Sequence, residues 1–541
     1  MGLTPRRIVH GSQVERAKLF RNGRIYTLDA AGTTAQAVAC WQGRIVAVGD
    51  DPDVRAHFPS FSEVDLGGLV VFPAFTDAHI HLTALGFSLL GVNLEGVRSI
   101  GEAVARVAQA VRSAPPGAWV LGRGWNRNVW PEGRWPTKDD LDPVSPHNPV
   151  ALWSKDGHVL WCNALALQKA GIGPDTPDPP GGEIVRQDGE PTGVLKEAAS
   201  ALATRAIPPP ADEEVERAIL EATRLLHRLG ITGVHHMAGS AEGTTLPVLQ
   251  HLHREGRLGV RVVAAIPETS LDDAIRMGLR SGLGDEWLRV GFVKIFADGT
   301  LGSQTAAMLT PFTGQPDNTG IALHGHDELA ALVRRASRAG WACAVHAIGD
   351  RANRWALDAF EASLEHSRRL GLRHRIEHAQ LIHPDDLPRF ARLGVVASMQ
   401  PVHCPADRDL ADRYWGERSK HAYAWRSLLR SGAVLAFGSD APVETPDVLR
   451  GLYAAAFRRD PQDPRGPWYP EEAIPVLEAI RAYTLGAAYA AGEEHQKGSL
   501  EVGKVCDLVA VDWDIVREPE ALADARVRLT VIGGEIVYEA L

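Results

Sequence analysis

Apolar runs of strand length recur along the chain, and amphipathic segments with helical periodicity separate most of them. Seven runs follow Asp212 and one lies at residues 70–82: VVFPAFTDAHIHL, ITGVHHM, RVVAAI, VGFVKIFADG, ACAVHAIGD, RIEHAQ, VVASMQP and AVLAFGSDAPV. Strands that alternate with helices pair in parallel, and eight such units close into a barrel. A doubly wound open sheet is the competing architecture, but no G-x-G-x-x-G follows an early strand. We therefore predict an α/β fold with a distorted (β/α)8 barrel.

The two ends of the chain have a different sequence pattern, which predicts short strands joined by turns that contain glycine. KLFRNGRIYTLD and AVACWQGRIVAVGD near the start resemble KVCDLVAVDWD and VRLTVIGGEIVYEA near the end. We predict a β-sandwich domain formed by residues 1–72 and 486–541, with the barrel at 73–485 inserted in it. Two unrelated β extensions are the alternative. Residues from about 115 to 205 are rich in Pro, Gly and Trp and read as an irregular cap inserted in the barrel.

Composition narrows the function classes. The 541 residues carry a net charge of -10 without a basic block, which argues against nucleic acid as a partner. Five widely spaced cysteines are odd in number and form no C-x-x-C pair, so we expect reduced thiols and a cytoplasmic location. No apolar run suits a signal peptide or a membrane span, so we expect no membrane association.

Side chains able to bind metal stand at the ends of the predicted strands, where barrel enzymes place their reactive groups. They are His79 and His81 after the first strand, Lys294 and Asp298 at the fourth, and His346, His378 and Asp440 at the fifth, sixth and eighth. A single histidine of this kind is more often a core residue. Because all of these residues occur at the ends of predicted strands, they instead predict a metal centre with imidazole and carboxylate ligands.

Lys294 is the unusual member of this group, because an ammonium beside divalent cations is repelled and costly to bury. Carboxylation of the free amine by carbon dioxide would convert it into an anionic carbamate that can bridge two metals. The alternative is an ion pair of Lys294 with Asp298 or another carboxylate.

The motifs PAFTDAHIHL, VKIFADGTLGSQTAAM, AVHAIGDRAN, RIEHAQ and AFGSDAPVETPD resemble the amidohydrolase superfamily. They are most similar to amidohydrolase family 3, the branch that contains N-substituted formamide deformylase. The resemblance extends from about Ala17 to the end of the chain. Two departures are Ala74 in place of the usual glycine of PGF, and Gln304 where the family usually has arginine. The second departure leaves an anionic substrate group at that position in doubt.

The resemblance implies a ligand set and an activity. His79, His81 and Asp440 would hold a first metal, His346 and His378 a second, and carboxylated Lys294 would bridge them. Zinc is expected, two ions per chain, with manganese or iron as alternatives. The implied reaction is cleavage of a non-peptide amide bond, as in an N-substituted formamide or an N-acyl compound, by metal-activated hydroxide. Asp440 would act first as the general base and then as the general acid.

Further positions are candidates for contact with substrate. His403, after the seventh strand, would contact the substrate or the oxyanion, with a surface-loop role as the alternative. In the predicted cap the candidates are Trp125, Trp130, Asp156, His158 and Trp161, and near the fourth strand they are Asp298 and Gln304. The tryptophans have an alternative role in packing the cap.

Two other functions compete with amide hydrolysis. A hydrolytic deaminase of the same fold would use one metal and no bridging lysine. A non-catalytic scaffold of this fold would be expected to lose ligands, and all six predicted ligands are retained. The expected partner is a small amide-type molecule, and a homodimer is the expected assembly.

Overall fold

The computed structural model describes residues 17–540 except 156, 158 and 238–244, and it leaves the Asn128 side chain undescribed. The chain divides into two compact units. One extends to Leu82 and resumes at Thr223, and the other is Thr83–Ala222.

The first unit contains the predicted barrel of eight parallel strands, each hydrogen-bonded to its neighbours along the path. In chain order the strands are Phe75–Ile80, Ile231–His236, Arg261–Pro267, Leu288–Phe296, Ala342–Ala347, Arg375–His378, Val396–Met399 and Leu435–Phe437. A short strand, Leu283–Gly284, pairs antiparallel with the fourth. The ring closes at its C-terminal end, where Asp440 N donates to His79 O (2.7 Å) and His81 N donates to Ala441 O (2.9 Å). The predicted fold class is thereby confirmed.

Helices alternate with these strands. They are Asp212–Arg228, Thr245–Arg254, Leu271–Arg276, His326–Arg338, Asp350–Ala362, Leu364–Leu370, Leu387–Leu393, His403–Trp415, Trp425–Ser431, Val448–Phe457, Val476–Arg481 and Ala487–Ala491. His326–Arg338 illustrates their amphipathic pattern, because its buried residues Leu329, Val333 and Ala336 follow helical spacing along one face. The apolar stripes seen in the sequence thus face the interior.

Both ends of the chain contribute to one six-stranded sheet. Its strand order is Glu535–Glu539, Val527–Ile532, Leu508–Val511, Val70–Pro73, Arg24–Tyr26 and Thr34–Ala35. Leu508 pairs with Pro73 in an antiparallel register, so the C-terminal segment joins the N-terminal one directly. A four-stranded sheet is formed by Arg44–Gly49, Ala37–Trp41, Ala17–Arg21 and Ser62–Asp65, and the helix Asp51–His57 accompanies it. Phe20, Ile25, Val71 and Leu529 belong to a buried apolar cluster that both sheets share.

The run VVFPAFTDAHIHL is two strands rather than one. Val70–Pro73 lies in the terminal sheet and Phe75–Ile80 in the barrel. The backbone changes partner at Ala74, whose N–H donates to Asp507 O (3.0 Å), while Phe75 N donates to Gly230 O (3.0 Å). Apolar content alone gives no sign of this change, because both strands are buried.

The second unit is more regular than its composition predicts. It contains a six-stranded sheet in the order Gly182–Gln187, Glu190–Glu197, Val159–Cys162, Val150–Ser154, Val120–Trp125 and Val92–Asn93. Its helices are Leu82–Leu90, Ile100–Ser113, Lys138–Leu141, Ala164–Lys169 and Ser200–Thr204. Some of the glycines that suggested a loop form tight turns. Asp188 (φ 52°) and Gly189 (φ 85°) join two antiparallel strands in the left-handed conformation that such hairpins require. That this unit covers the barrel stays a prediction.

Among the described residues, none of the helices has both the length and the apolar character needed to cross a bilayer.

Candidate metal centre

The C-terminal mouth of the barrel gathers the side chains that the sequence proposed as ligands. His79 belongs to the first strand, Lys294 to the fourth and His346 to the fifth, while His378 is the last residue of the sixth. All these side chains and Asp440 are buried, whereas His81 keeps 24% of its side chain exposed. The site is therefore partly open at His81.

His79, His81 and Asp440 form a compact group of donors. Each histidine places Nε2 3.3 Å from Oδ1 of Asp440. Ligand atoms about 2.0–2.1 Å from a tetrahedral zinc ion are separated by about 3.3–3.4 Å. The donor types and their spacing therefore fit a divalent metal ion.

A second group shares Asp440. Ligand atoms of His378, His403 and Asp440 lie within 4.8 Å of one another, and His403 Nε2 is 3.9 Å from Oδ2 of Asp440. The ring centroids of His378 and His346 are 4.6 Å apart. One carboxylate therefore presents its two oxygens to two sets of imidazoles.

His346 presents one nitrogen to the site. Its Nε2 lies 3.0 Å from the carbonyl oxygen of Gly299, to which it can donate. A neutral ring protonated there keeps its lone pair on Nδ1. Burial, reinforced by the nearby Lys294, lowers the pKa of His346 to about 3, which favours this neutral form.

Lys294 is buried, and its Nζ lies 4.8 Å from the ring centroid of Phe296. Burial lowers the pKa of Lys294 to about 8, although the negative charges of Glu377 and Asp440 oppose the shift. Among the residues that the structure describes, the Lys294 amine forms no ion pair, with Asp298 or any other carboxylate.

Two of the candidate ligands have an unusual backbone. Side chains of a regular strand alternate between its two faces, so His378 would lie on the face opposite to Arg375 and Glu377. Positive φ angles of 71° at His378 and 62° at Asp440 change the direction of the chain at these positions. Non-glycine residues adopt this conformation rarely, and such strain clusters at functional sites.

Sequence reasoning did not identify the residues that support the ligands. Glu377 Oε2 accepts from His79 Nδ1 (2.6 Å), and Gln400 Oε1 accepts from His378 Nδ1 (2.8 Å). Asp77 accepts from the backbone N–H and the hydroxyl of Ser439, the neighbour of Asp440. In the sequence, only the spacing of Asp77, two residues before His79 and therefore on the same face of the strand, indicated one of these contacts.

Electrostatics keep two carboxylates of the site, Asp440 and Glu377, ionised. Burial by itself raises the pKa of Asp440, but the facing imidazoles hold it well below its usual value. Burial likewise acts to raise the pKa of Glu377, but the Arg375 guanidinium, together with His79 and Lys294, keeps that pKa well below its usual value. Asp440 is therefore a carboxylate at neutral pH and can accept a proton.

The proposed substrate contacts near the fourth strand have other partners. Asp298 accepts from the backbone N–H groups of Ala307 (2.8 Å), Ile348 (3.0 Å) and Gly349 (2.8 Å). These bonds hold the loops after the fourth and fifth strands together. Gln304 Oε1 accepts from the Gln315 side-chain amide, so this oxygen already has a partner in a neighbouring loop.

The structure favours the packing role for the cap tryptophans. Trp125, Trp130 and Trp161 are 1%, 5% and 0% exposed and belong to the apolar core of the second unit. Each indole N–H donates to a backbone carbonyl oxygen within that unit. The rings pack this core and offer almost no surface to a ligand. Asp156 and His158, also proposed as substrate contacts, lie outside the described residues.

The fold and the donor groups at the barrel mouth together define the class of metal-dependent barrel hydrolases. Within that class the chain belongs to the amidohydrolase family, whose sequence model matches residues 62–538. The membership of the family predicted from sequence motifs is thereby confirmed, and this protein is a metal-dependent hydrolase.

Individual relatives agree with this membership. The chain is 35% identical over 533 residues to the protein LONG AFTER FAR-RED 3 of Arabidopsis thaliana, covering 96% of this chain and 91% of that protein. It is 31% identical to N-substituted formamide deformylase of Arthrobacter pascens, covering 97% and 98%. An uncharacterized metal-dependent hydrolase from Pyrococcus furiosus has a similar crystal structure, with a TM-score of 0.77, 32% identity and coverage of 92% and 100%.

Proposed function

We propose that this protein hydrolyses a non-peptide amide C–N bond in a small molecule, such as an N-substituted formamide or an N-acyl compound. The position of Asp440 carries the proposal. Its Oδ1 is 3.3 Å from Nε2 of both His79 and His81, and its Oδ2 faces His403. A carboxylate placed between two groups of imidazoles can contribute a ligand atom and also carry a proton.

The chain supplies residues for two divalent ions. His79, His81 and Asp440 would hold the first, His346 and His378 the second, and carboxylated Lys294 would join the two positions. Zinc suits donors so rich in imidazole, with manganese or iron as alternatives. When bound, the metal polarises a carbonyl oxygen and lowers the pKa of water to roughly 7.

Lys294 is suited to carboxylation because this reaction requires the free amine. With a pKa of about 8, roughly a tenth of the amine is unprotonated at pH 7. The nitrogen adds to the carbon of carbon dioxide, a proton leaves, and an anionic carbamate results. The burial that makes an ammonium unfavourable here thus favours the modified form in the presence of metal.

Asp440 carries the proton in the proposed reaction. It accepts a proton from the attacking water, whose oxygen adds to the amide carbon, and later gives that proton to the departing amine nitrogen. The products are a carboxylic acid and an amine. His403 has a buried Nε2 without a hydrogen-bond partner among the described residues, so this nitrogen can donate to the substrate carbonyl oxygen.

Similarity supports the substrate class. The relative from Arthrobacter pascens that is 31% identical to this chain is named for its action on N-substituted formamides. The buried tryptophans lend no support to an aromatic substrate, so we propose the amide class without preference for the N-substituent.

Metal analysis combined with an amide screen tests this proposal. The purified protein would be freed of metal with a chelator, reloaded with Zn²⁺ and assayed for amine release from N-substituted formamides and N-acyl amino acids. We expect activity to disappear on stripping and to return on reloading, and His79→Ala to abolish it. His495→Ala, at a side chain that is 90% exposed, is the matched control. Full amidase activity in the stripped protein would refute the proposal, as would deamination in place of amide cleavage.

A further inference from the structure

The sixth barrel strand carries a buried ion pair close to the proposed ligands. Arg375 and Glu377 are two residues apart, so their side chains lie on the same face of the strand, and both are 0% exposed. Arg375 Nε donates to Glu377 Oε1, and Nη2 donates to Oε2 (3.1 Å). The guanidinium thus binds both oxygens of the carboxylate, an arrangement that fixes its orientation.

Glu377 connects this pair to the metal centre. Its Oε2 lies 2.6 Å from Nδ1 of His79, close enough for a strong hydrogen bond. An ionised carboxylate can only accept, so Nδ1 must carry the proton. The lone pair of His79 then resides on Nε2, the atom 3.3 Å from Asp440.

Arg375 itself is held from several directions. It donates to the carbonyl oxygen of Ala78, the residue before His79, and to Oγ of Ser398. Its Nη1 lies 2.8 Å from Nδ1 of His235 on the second strand. The same guanidinium therefore fixes both the carboxylate that binds the His79 ring and the backbone that carries His79.

The other side of the site provides an internal comparison. His378 also directs Nδ1 at an oxygen, but this oxygen belongs to the neutral amide of Gln400, at 2.8 Å. Both histidines therefore have a defined tautomer, while His79 alone of the two has a charged acceptor. A carboxylate acceptor raises the basicity of the imidazole more than a neutral amide does.

We propose that Arg375 and Glu377 are positioning residues for His79, which keep its Nε2 lone pair directed at the metal and raise the affinity of the His79–His81–Asp440 group. A buried ion pair is seldom a net gain in stability compared with apolar packing. A function in metal binding accounts for its presence beside His79. The inference rests on the proposed role of His79 as a ligand.

Glu377→Gln tests the charge while preserving an acceptor, since Gln400 shows that an amide oxygen suits this contact. The dissociation constant of Zn²⁺ would be measured on the full-length apoprotein by competition with a chromophoric chelator. Two Zn²⁺ ions are proposed to bind, and we expect the dissociation constant of the more tightly bound ion to rise about 10- to 100-fold. The Zn²⁺ content at saturation should stay at the wild-type value.

Asp507→Asn is the matched control. Asp507 forms a buried pair with Arg261 (2.7 Å) at the start of the third strand, the end of the barrel opposite the site. We expect this variant to lower the thermal unfolding midpoint and to leave the Zn²⁺ dissociation constant unchanged. Should Glu377→Gln fail to fold, Glu377→Asp is the second variant. It keeps the charge but moves the carboxylate oxygens away from His79 Nδ1, and we expect the same weakening of Zn²⁺ binding.

Wild-type Zn²⁺ affinity in the folded Glu377 variant would overturn the proposal, as would an equal loss in Asp507→Asn. A wild-type protein that binds none of Zn²⁺, Mn²⁺ and Fe²⁺ would overturn this inference and the proposed function together. If Glu377→Gln weakens Zn²⁺ binding but the wild-type protein cleaves no amide, the positioning role holds and the proposed function fails.

Discussion

Asp440→Asn is the substitution that separates proton transfer from metal binding. The asparagine side chain has nearly the same shape, so an amide oxygen can still take the place of Oδ1, 3.3 Å from His79 and His81. What disappears is the negative charge and the ability to accept a proton. Loss of a general acid–base group typically costs about 10²- to 10⁴-fold in rate. At 1.36 kcal/mol per tenfold, the barrier would rise by about 2.7–5.4 kcal/mol.

The assay is amine release under saturating Zn²⁺, with the metal content of the same sample measured by elemental analysis. We expect kcat to fall by at least 10²-fold while the sample retains metal. Asp507→Asn, which removes a buried carboxylate charge at the other end of the barrel, should leave kcat within about threefold. If the Asp440 variant keeps full metal content and retains more than a tenth of wild-type kcat, Asp440 is not the proton carrier.

Four further predictions concern other parts of the structure. Lys294→Ala should lose metal and activity, and small carboxylic acids such as acetate should partly restore both, because they can replace the bridging oxygens; no rescue would contradict the carbamate. In the wild-type protein, metal loading at a fixed concentration of dissolved carbon dioxide should accelerate between pH 7 and pH 9, because a lysine with a pKa of about 8 goes from about one tenth to about nine tenths free amine over that range; a flat rate profile would contradict this. Arg261→Met leaves the Asp507 carboxylate buried without its partner (2.7 Å in the wild type), so the free energy of unfolding measured in urea should fall by about 3–5 kcal/mol; a change below 1 kcal/mol would contradict it. Trp161→Phe should lower the thermal unfolding midpoint but leave KM unchanged, since the ring is 0% exposed; a large rise in KM in the folded variant would show substrate contact after all.

The barrel and the family could be predicted from the sequence because both are recognised from local sequence patterns. A parallel strand buried on both faces is a continuous apolar run, and a helix on the surface is an amphipathic one. All residues of Phe75–Ile80 and Ala342–Ala347 are buried, as such runs predict. In the second unit, Pro and Gly suggested an irregular segment, but several of these residues occupy turns between strands.

The tryptophans show where composition misleads. An aromatic side chain has the same appearance in a sequence whether it lines a pocket or fills a core. Trp125 and Trp161 have ring centroids 6.2 Å apart and contact each other inside the second unit. Their burial depends on strand pairing, which composition does not encode.

The number of barrel strands and the reactive residue types at their ends can be predicted from the amino-acid sequence, because alternation and periodicity are properties of neighbouring residues. Which side chains contact one another depends on the folded chain. Glu377 contacts His79 across 298 positions of the chain, and Asp77 contacts Ser439 across 362. These contacts depend on barrel closure and on strand register, and the direction of His378 depends on a backbone angle of 71° that surrounding packing must maintain.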